Sequence, residues 1–257
     1  MRDVVETSPP GDASSDHARG PGARIAAAAR RALGAAYNGE TADSAANATD
    51  AATWLDAMRD EDLTDLLDPI GQLGWAELLG ERYDDAIRHF GRGIRLARHT
   101  GRSYLMPYLL LGQAYGCRVV GQLTEAMRSA ESAEDMAHLL NRSDLLGYAL
   151  SLQASTVAVR DAPELAAPIV ERALRPIGTA GRLRGLMIAM LASIRLEQGR
   201  PAECVELIRA LTDKPQHCGP AHSFRAGWYY TAARAEVDRG RTAEARDWTR
   251  RAVEAAG

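Results

Sequence analysis

Lysine is nearly missing from this chain. Lys214 is the only one, although lysine and arginine together number 31. Arginine used this exclusively reflects a GC-rich coding sequence and carries no mechanism. Aromatic residues make up 5%, with two phenylalanines, so no broad aromatic surface for stacking nucleobases is available. Positive charge is not in excess. The net charge is −3 and the sequence pI about 6.1, which excludes a generally basic nucleic-acid binder. Three cysteines, Cys117, Cys204 and Cys218, are odd in number and far apart, with no CxxC pair. A disulfide framework is excluded, and a reducing, cytoplasmic compartment is expected. The first ten residues hold no apolar core of a signal peptide. The longest apolar stretch, 105–117, is interrupted by Pro107, Gly112 and Gln113 and is too short to span a bilayer. No alternating apolar–polar run marks a strand. Neither Gly-xxxx-Gly-Lys-Ser/Thr nor Gly-x-Ser-x-Gly occurs. No cofactor and no enzymatic activity, ATPase included, are expected.

What is present points to helix. Of 257 residues, 46% are apolar and 25% charged, dominated by Ala, Leu, Arg and Glu, which are strong helix formers. Apolar side chains recur three and four apart, as in Ile87, Phe90, Ile94 and Ala97. Residues 1–22 are rich in Ser, Pro, Asp and Gly and have no apolar period; they are expected to form a disordered arm. Residues 23–257 are expected to form one helical domain.

The turns repeat. Gly39-Glu40-Thr41-Ala42-Asp43-Ser44 has the pattern glycine, three residues, an acid, a small residue. Gly121, Gly199 and Gly240 open the same pattern, and Gly80 opens it with one residue inserted. The glycines are 41, 41, 78 and 41 residues apart, which implies a hidden turn near 160, where Arg160-Asp161-Ala162-Pro163-Glu164 stands. Each element has a reason. The glycine takes the left-handed conformation that ends a helix. The acid faces the positive end of the next helix dipole. The small residue lets the two helices approach. One helix pair cannot bury its own apolar faces, but a stack can. The spacing predicts an all-α, right-handed solenoid of about twelve helices in six pairs, spanning 24–60, 62–99, 103–140, 143–178, 182–213 and 219–256.

The units resemble tetratricopeptide (TPR) repeats. Leu73-Gly74 and Leu111-Gly112-Gln113-Ala114-Tyr115 match the Leu-Gly-x-x-Tyr element of the first helix; Ala86 with Phe90, and Ala126 with Ala130 and Ala133, match the second. The units are 39–41 residues long rather than 34, and lack the closing proline. The run 73–86, then Leu96-Ala97-Arg98-His99-Thr100-Gly101 and Pro107-Tyr108-Leu109-Leu110-Leu111-Gly112, is similar to the helical-repeat region of the large ATP-dependent LuxR-type transcriptional regulators of actinobacteria. The similarity covers roughly 24–256. In that family an ATPase module precedes the repeats and a helix-turn-helix follows them; neither motif occurs here, so ATP hydrolysis and DNA binding are carried onto no residue. The resemblance implies a sensor or partner-binding part of such a regulator.

Local chemistry is sparse. His217-Cys218-Gly219-Pro220-Ala221-His222 is the densest group of metal-ligand types, but no second ligand cluster accompanies it, and no metal is expected. The neighbouring acids Glu61-Asp62, Asp84-Asp85 and Glu134-Asp135 point in different directions on helices and form no catalytic pair. Ser151, Ser155, Ser193 and Ser223 lack a nucleophile elbow. His89, His99 and His138 read as surface or capping residues. Arg24, Arg30 and Arg31, and the looser Arg182, Arg184 and Arg195, read as solvated faces without interleaved aromatics.

The better candidates come from architecture. In stacked helix pairs the first helices line the concave side. Alignment on the turn glycines places Trp75, Met106, Gln113, Tyr148, Arg184, Met187, Arg225 and Trp228 on first-helix positions that can line a binding groove, with interhelical packing as the alternative for the tryptophans. Two functions follow. One is a regulatory domain that binds a protein partner or small-molecule effector within a LuxR-type regulator. The other is a free-standing scaffold gripping a peptide or protein in its groove. Neither involves nucleic acid or membrane. An incompletely covered apolar surface is expected on the last pair, within 224–253, favouring a homo-oligomer or a docked module.

Overall fold

The computed structural model describes residues 20–175, 182–212 and 222–256. Among these residues the chain forms twelve α-helices and no strand. They are α1 (Pro21–Asn38), α2 (Thr41–Asp56), α3 (Leu67–Leu79), α4 (Tyr83–Thr100), α5 (Met106–Val119), α6 (Leu123–Leu139), α7 (Ser143–Arg160), α8 (Ala167–Leu174), α9 (Arg182–Glu197), α10 (Pro201–Thr212), α11 (His222–Asp238) and α12 (Thr242–Ala256). Short 3-10 turns at Asp60–Leu63, Ser103–Leu105 and Pro163–Ala166 lead into α3, α5 and α8. The helices pair as α1–α2, α3–α4, α5–α6, α7–α8, α9–α10 and α11–α12, and each pair packs on the next. This is the expected solenoid. Helix α1 starts at Pro21, inside the span assigned to an arm; residues 1–19 lie outside the described residues.

The turns obey one hydrogen-bond rule. The backbone is left-handed at Gly39, Gly121, Gly199 and Gly240, with φ between 68° and 85°. The N–H of the following residue donates to the carbonyl five residues back: Glu40 to Ala35, Gln122 to Cys117, Arg200 to Arg195, Arg241 to Glu236. This closes each first helix and satisfies carbonyls that the helix leaves free. The second pair departs from the expected alignment. Its left-handed residue is Glu81 (φ 60°), not Gly80, and Arg82 donates to Glu77. The true register of that unit is therefore one residue later. Near 160 the degenerate turn is real but different: Asp161 has φ −114°, a 3-10 turn follows, and α8 has only eight residues.

Small residues decide where helices touch. Phe90 on α4 is fully buried between Gly74 of α3 and Gly112 of α5. A Cβ on Gly74 would meet its ring at 2.7 Å, and one on Gly112 at 2.3 Å. That is the physical content of the Leu-Gly elements: the glycines make room for one aromatic ring shared by two pairs. Helix α7 is buried on nearly every side from Leu145 to Thr156 and lies against α5, α6, α8 and α9. Charged side chains tie neighbouring pairs together. Arg92 of α4 donates to the Leu55 and Met58 carbonyls at 2.8 and 2.5 Å and pairs with Asp60, so it caps the end of α2.

The superhelix also meets itself. Helix α11 touches α9, α10 and α12 as a neighbour should, and it also touches α1, ten helices earlier in the chain. The contact is made by Phe224 on the first turn of α11. Its ring packs on the cluster of Ala36 of α1 and Leu79 of α3, which Leu33 and Tyr37 also flank, and lies edge-on to Tyr115 of α5 at 6.1 Å between centroids. At the far end Trp248 is buried inside its own hairpin against Tyr229 at 5.8 Å. Tyr230, Val237 and Val253 of that pair are 61%, 63% and 69% exposed.

Candidate functional site

The structure divides the eight expected groove residues. Met106, Tyr148, Met187 and Trp228 are 7%, 0%, 2% and 7% exposed and belong to the core. They hold helices together and cannot line an open groove, because their side chains are enclosed in the cores between helices. Trp75 is half-buried, edge-on to Phe90 at 5.9 Å and 6.4 Å from Tyr148. Gln113 is half-buried and accepts a hydrogen bond from Ser129 at 3.2 Å, which joins α5 to α6. Arg184 and Arg225 are half-buried on α9 and α11. Trp75 and Tyr148 are thus brought together, by packing; the eight do not form one surface.

The residues that do converge appear once the register is corrected. Counted from the left-handed residues Gly39, Glu81 and Gly121, the side chains six positions earlier are Leu33, Trp75 and Tyr115. Those two positions earlier are Tyr37, Leu79 and Val119. Six and two earlier are i and i+4 on one helix face. Alignment on Gly80 shifts the middle unit by one residue and hides this face. Within it, the Arg118 guanidinium stands 5.3 Å from the Tyr115 ring centroid. The Tyr148 phenol lies beneath, in the field of Tyr115, Arg118 and Tyr37, and burial pushes its pKa far above the ordinary value. Burial raises Tyr115 as well. Neither the Tyr148 hydroxyl nor Arg118 Nε has a hydrogen-bond partner. A buried donor without an acceptor costs about 1–3 kcal/mol; among the described residues the other buried side-chain polar atom without a hydrogen-bond partner is Glu77 Oε1.

A second polar cluster sits at the joint of the first two pairs and is structural. His89 is fully buried rather than on the surface as expected. Its Nδ1 is 2.7 Å from Glu77 and its Nε2 3.3 Å from Asp56, which Arg88 also holds at 2.6 Å. Burial raises the Glu77 carboxyl, with the His89 hydrogen bond and charge opposing it. At Asp56 burial also works upward, but the Arg88 hydrogen bond and the His89 charge outweigh it and hold the group below its ordinary value. Arg195, expected on a solvated face, is buried and pairs with Glu171 at 2.6 Å and Glu203 at 3.3 Å. Glu236 is buried and pairs with Arg209 and Arg239. Glu77, Arg195 and Glu236 all stand four residues before a left-handed turn, so three of the five aligned turns have a buried charge at that position, and Ala35 fills it in the first unit. Cys117 occupies it in the third unit. Burial lifts its thiol to about 11 and that of Cys204 to about 12, so neither is a nucleophile at neutral pH.

The other expectations resolve simply. Arg24 stacks on Trp54 at 4.3 Å, and Arg31 donates to Asn47 at 2.9 Å. Ser151, Ser155 and Ser193 bond back to carbonyls of their own helices. Residues 217–221 and the side chains of His222 and Ser223 lie outside the described residues. Among the described residues no group of three or more His, Cys, Asp and Glu could hold a metal, and no helix is long and apolar enough to cross a membrane.

No family model and no curated protein matches the sequence. Solved structures of TPR-like helical-repeat proteins do resemble the fold. The apo quorum sensor NprR from B. thuringiensis superposes with a TM-score of 0.58 at 15% identity, over 85% of this chain and 61% of that one. A Rap protein complexed with competence and sporulation factor gives 0.60 at 13%, over 92% and 77%. Aspartyl phosphate phosphatase F from Bacillus subtilis gives 0.62 at 14%, over 93% and 62%. The chain thus spans about three-fifths of NprR and of phosphatase F. At these identities the likeness establishes a TPR-like helical-repeat fold.

Proposed function

We propose that this chain is a binding module that holds a peptide or protein segment on its inner, first-helix face, as the sensor part of a LuxR-type transcriptional regulator in the cytoplasm. The observation that carries it is the aligned aromatic face of the first three pairs, with two donors left without an acceptor, Arg118 Nε and the Tyr148 hydroxyl, beside it. Bound ligand acceptors would satisfy both groups. The TPR-like folds of a quorum sensor and of a Rap protein complexed with a signalling factor support the class of function. The test is a thermal-shift screen with a library of short linear peptides, since a ligand of the native state raises the melting temperature by mass action. A reproducible hit that is lost in Tyr115→Ala supports the reading; a library without hits overturns it.

A free-standing scaffold is the second reading, and the same inner face supports it. Reading the coding sequence on either side for an ATPase and a helix-turn-helix decides between the two. The module needs no cofactor and performs no chemistry in either case. One similar fold is an aspartyl phosphate phosphatase, so release of phosphate from an aspartyl-phosphate protein by the purified chain would overturn that part. The arm expected over 1–22 is proposed as dispensable for stability, tested by deleting 1–19. The exposed Tyr230, Val237 and Val253 on the last pair favour self-association, which concentration-dependent sedimentation tests.

A further inference from the structure

The geometry points to Phe224 as an internal stand-in for a ligand: its seat between α1, α3 and α5 is a binding site for a peptide that ends in phenylalanine, with the terminal carboxylate on Arg118 and Tyr148. The inference rests on the groove-binding reading above and adds to it the ligand class and the way the site is kept shut.

Three observations converge. First, Phe224 joins two cores. It packs against the cluster of the last two pairs and also against Ala36 and Leu79 of the first two. No other side chain among the described residues is shared by those two clusters. Second, the seat is aromatic and shallow. Phe224 is half-buried and meets Tyr115 edge-on, in a geometry a phenylalanine from another chain can reproduce. Third, the seat adjoins polar groups that the closed state leaves unsatisfied. Phe224 and the Arg118 guanidinium both lie against the Tyr115 ring, at 6.1 and 5.3 Å. The Tyr148 hydroxyl is fully buried within the electrostatic reach of Tyr115, Arg118 and Tyr37. Phe224 supplies the ring but has only peptide groups of its own helix to offer, so Arg118 Nε and the Tyr148 hydroxyl have no acceptor. A C-terminal phenylalanine supplies ring and carboxylate together, and a guanidinium with a phenolic donor is the set that recognises a carboxylate. Ligand and Phe224 compete for one seat, so binding must release α11 from α1.

The chain's two phenylalanines make the test direct. Ring-13C-phenylalanine labelling of the full chain gives two aromatic spin systems, Phe90 as an internal folding control and Phe224 as the reporter. The probe is acetyl-Ala-Gly-Ala-Phe with a free carboxylate, against its amide and an alanine-terminated version. On titration the Phe224 signals are expected to move while those of Phe90 stay. Phe224→Ala, with the Phe90 signals confirming the fold, is expected to bind the acid about tenfold tighter than the wild type, because the competing side chain is gone. Tyr115→Ala in that background is expected to abolish the gain, and the amide and alanine versions are expected to bind at least about tenfold more weakly. Equal affinity of wild type and Phe224→Ala, or binding that leaves the Phe224 signals unmoved, overturns the stand-in. If peptides from the library bind under those outcomes, the groove reading survives and only the stand-in fails; if no peptide binds either protein, both fail.

Discussion

Phe90 and Phe224 are the same residue put to opposite uses. Phe90 is sealed between Gly74 and Gly112, where a Cβ would collide with its ring at 2.7 and 2.3 Å. Phe224 rests half-buried on Tyr115, Leu79 and α1. Around Phe90 the first three pairs share one continuous core that runs from Ile25 to Tyr148 and beyond. Around Phe224 the last two pairs keep a core of their own, linked to the first through the cluster of α7, α8 and α9. A ring enclosed by glycines is part of the fold. A ring laid on other side chains is a contact that can be exchanged.

Substitutions should separate the two. Phe90→Ala is expected to cost about 3–5 kcal/mol by opening a cavity, and Gly112→Ala about 3 kcal/mol by overpacking. At roughly 2–4 °C per kcal/mol, each lowers the melting temperature by about 6 °C or more. The double variant should cost less than the sum, since the cavity accepts the methyl group; strict additivity in chemical denaturation would mean that the two do not share space.

Next is the joint at His89. Burial raises the folded-state Glu77 pKa above its unfolded value, so the folded chain binds this proton more tightly. Stability from this group is present at low pH and is lost as pH climbs from about 4.5 toward the raised value. Glu77→Gln should therefore cost about 2 kcal/mol near pH 4.5 and less at neutrality. Asp56 has the opposite sign, its contribution being lost as pH falls below its ordinary 3.8. Melting temperatures of Glu77→Gln and Asp56→Asn from pH 3 to 7 check the two slopes; parallel profiles would refute them.

Phe224→Ala should cost only about 1 kcal/mol, since the ring is only partly enclosed. A loss as large as that of Phe90→Ala would make the closing contact a fixed part of the fold. The smallest effect belongs to Glu81→Gly. Relief of the left-handed strain, about 1–2 kcal/mol, slightly exceeds the cost of the added freedom of the unfolded chain, about 0.5–1 kcal/mol. A net gain of roughly 0.5 kcal/mol is expected in urea unfolding.

The helical stack was legible in the sequence because its punctuation is local: a left-handed residue, an acid and a small residue recur within six positions. The inner face was not, because Gly80 imitates a turn glycine one residue before the true one at Glu81. One residue is 100° around a helix, enough to set Trp75 apart from Tyr115 and Leu33 when they share a face. The contact of Phe224 with α1 has no local signature at all. It depends on the accumulated rotation of five helix pairs. His89 and Arg195 were misplaced for a related reason: a charged residue is buried when its partners lie on the neighbouring pair, as Asp56 and Glu171 do, and those partners are 33 and 24 residues away.

The touch between α11 and α1 changes what kind of object the array is. Stacked repeats ordinarily interact only with their neighbours, so unfolding creeps inward from whichever end is weaker. Here the last pair is held by the first as well as by the one before it. The two ends then fray together or not at all, and one long-range contact lends an otherwise local fold the slow, all-or-none closure of a ring. Amide exchange in α1 should accelerate when Phe224 is removed, although that residue lies nearly two hundred positions away in the chain.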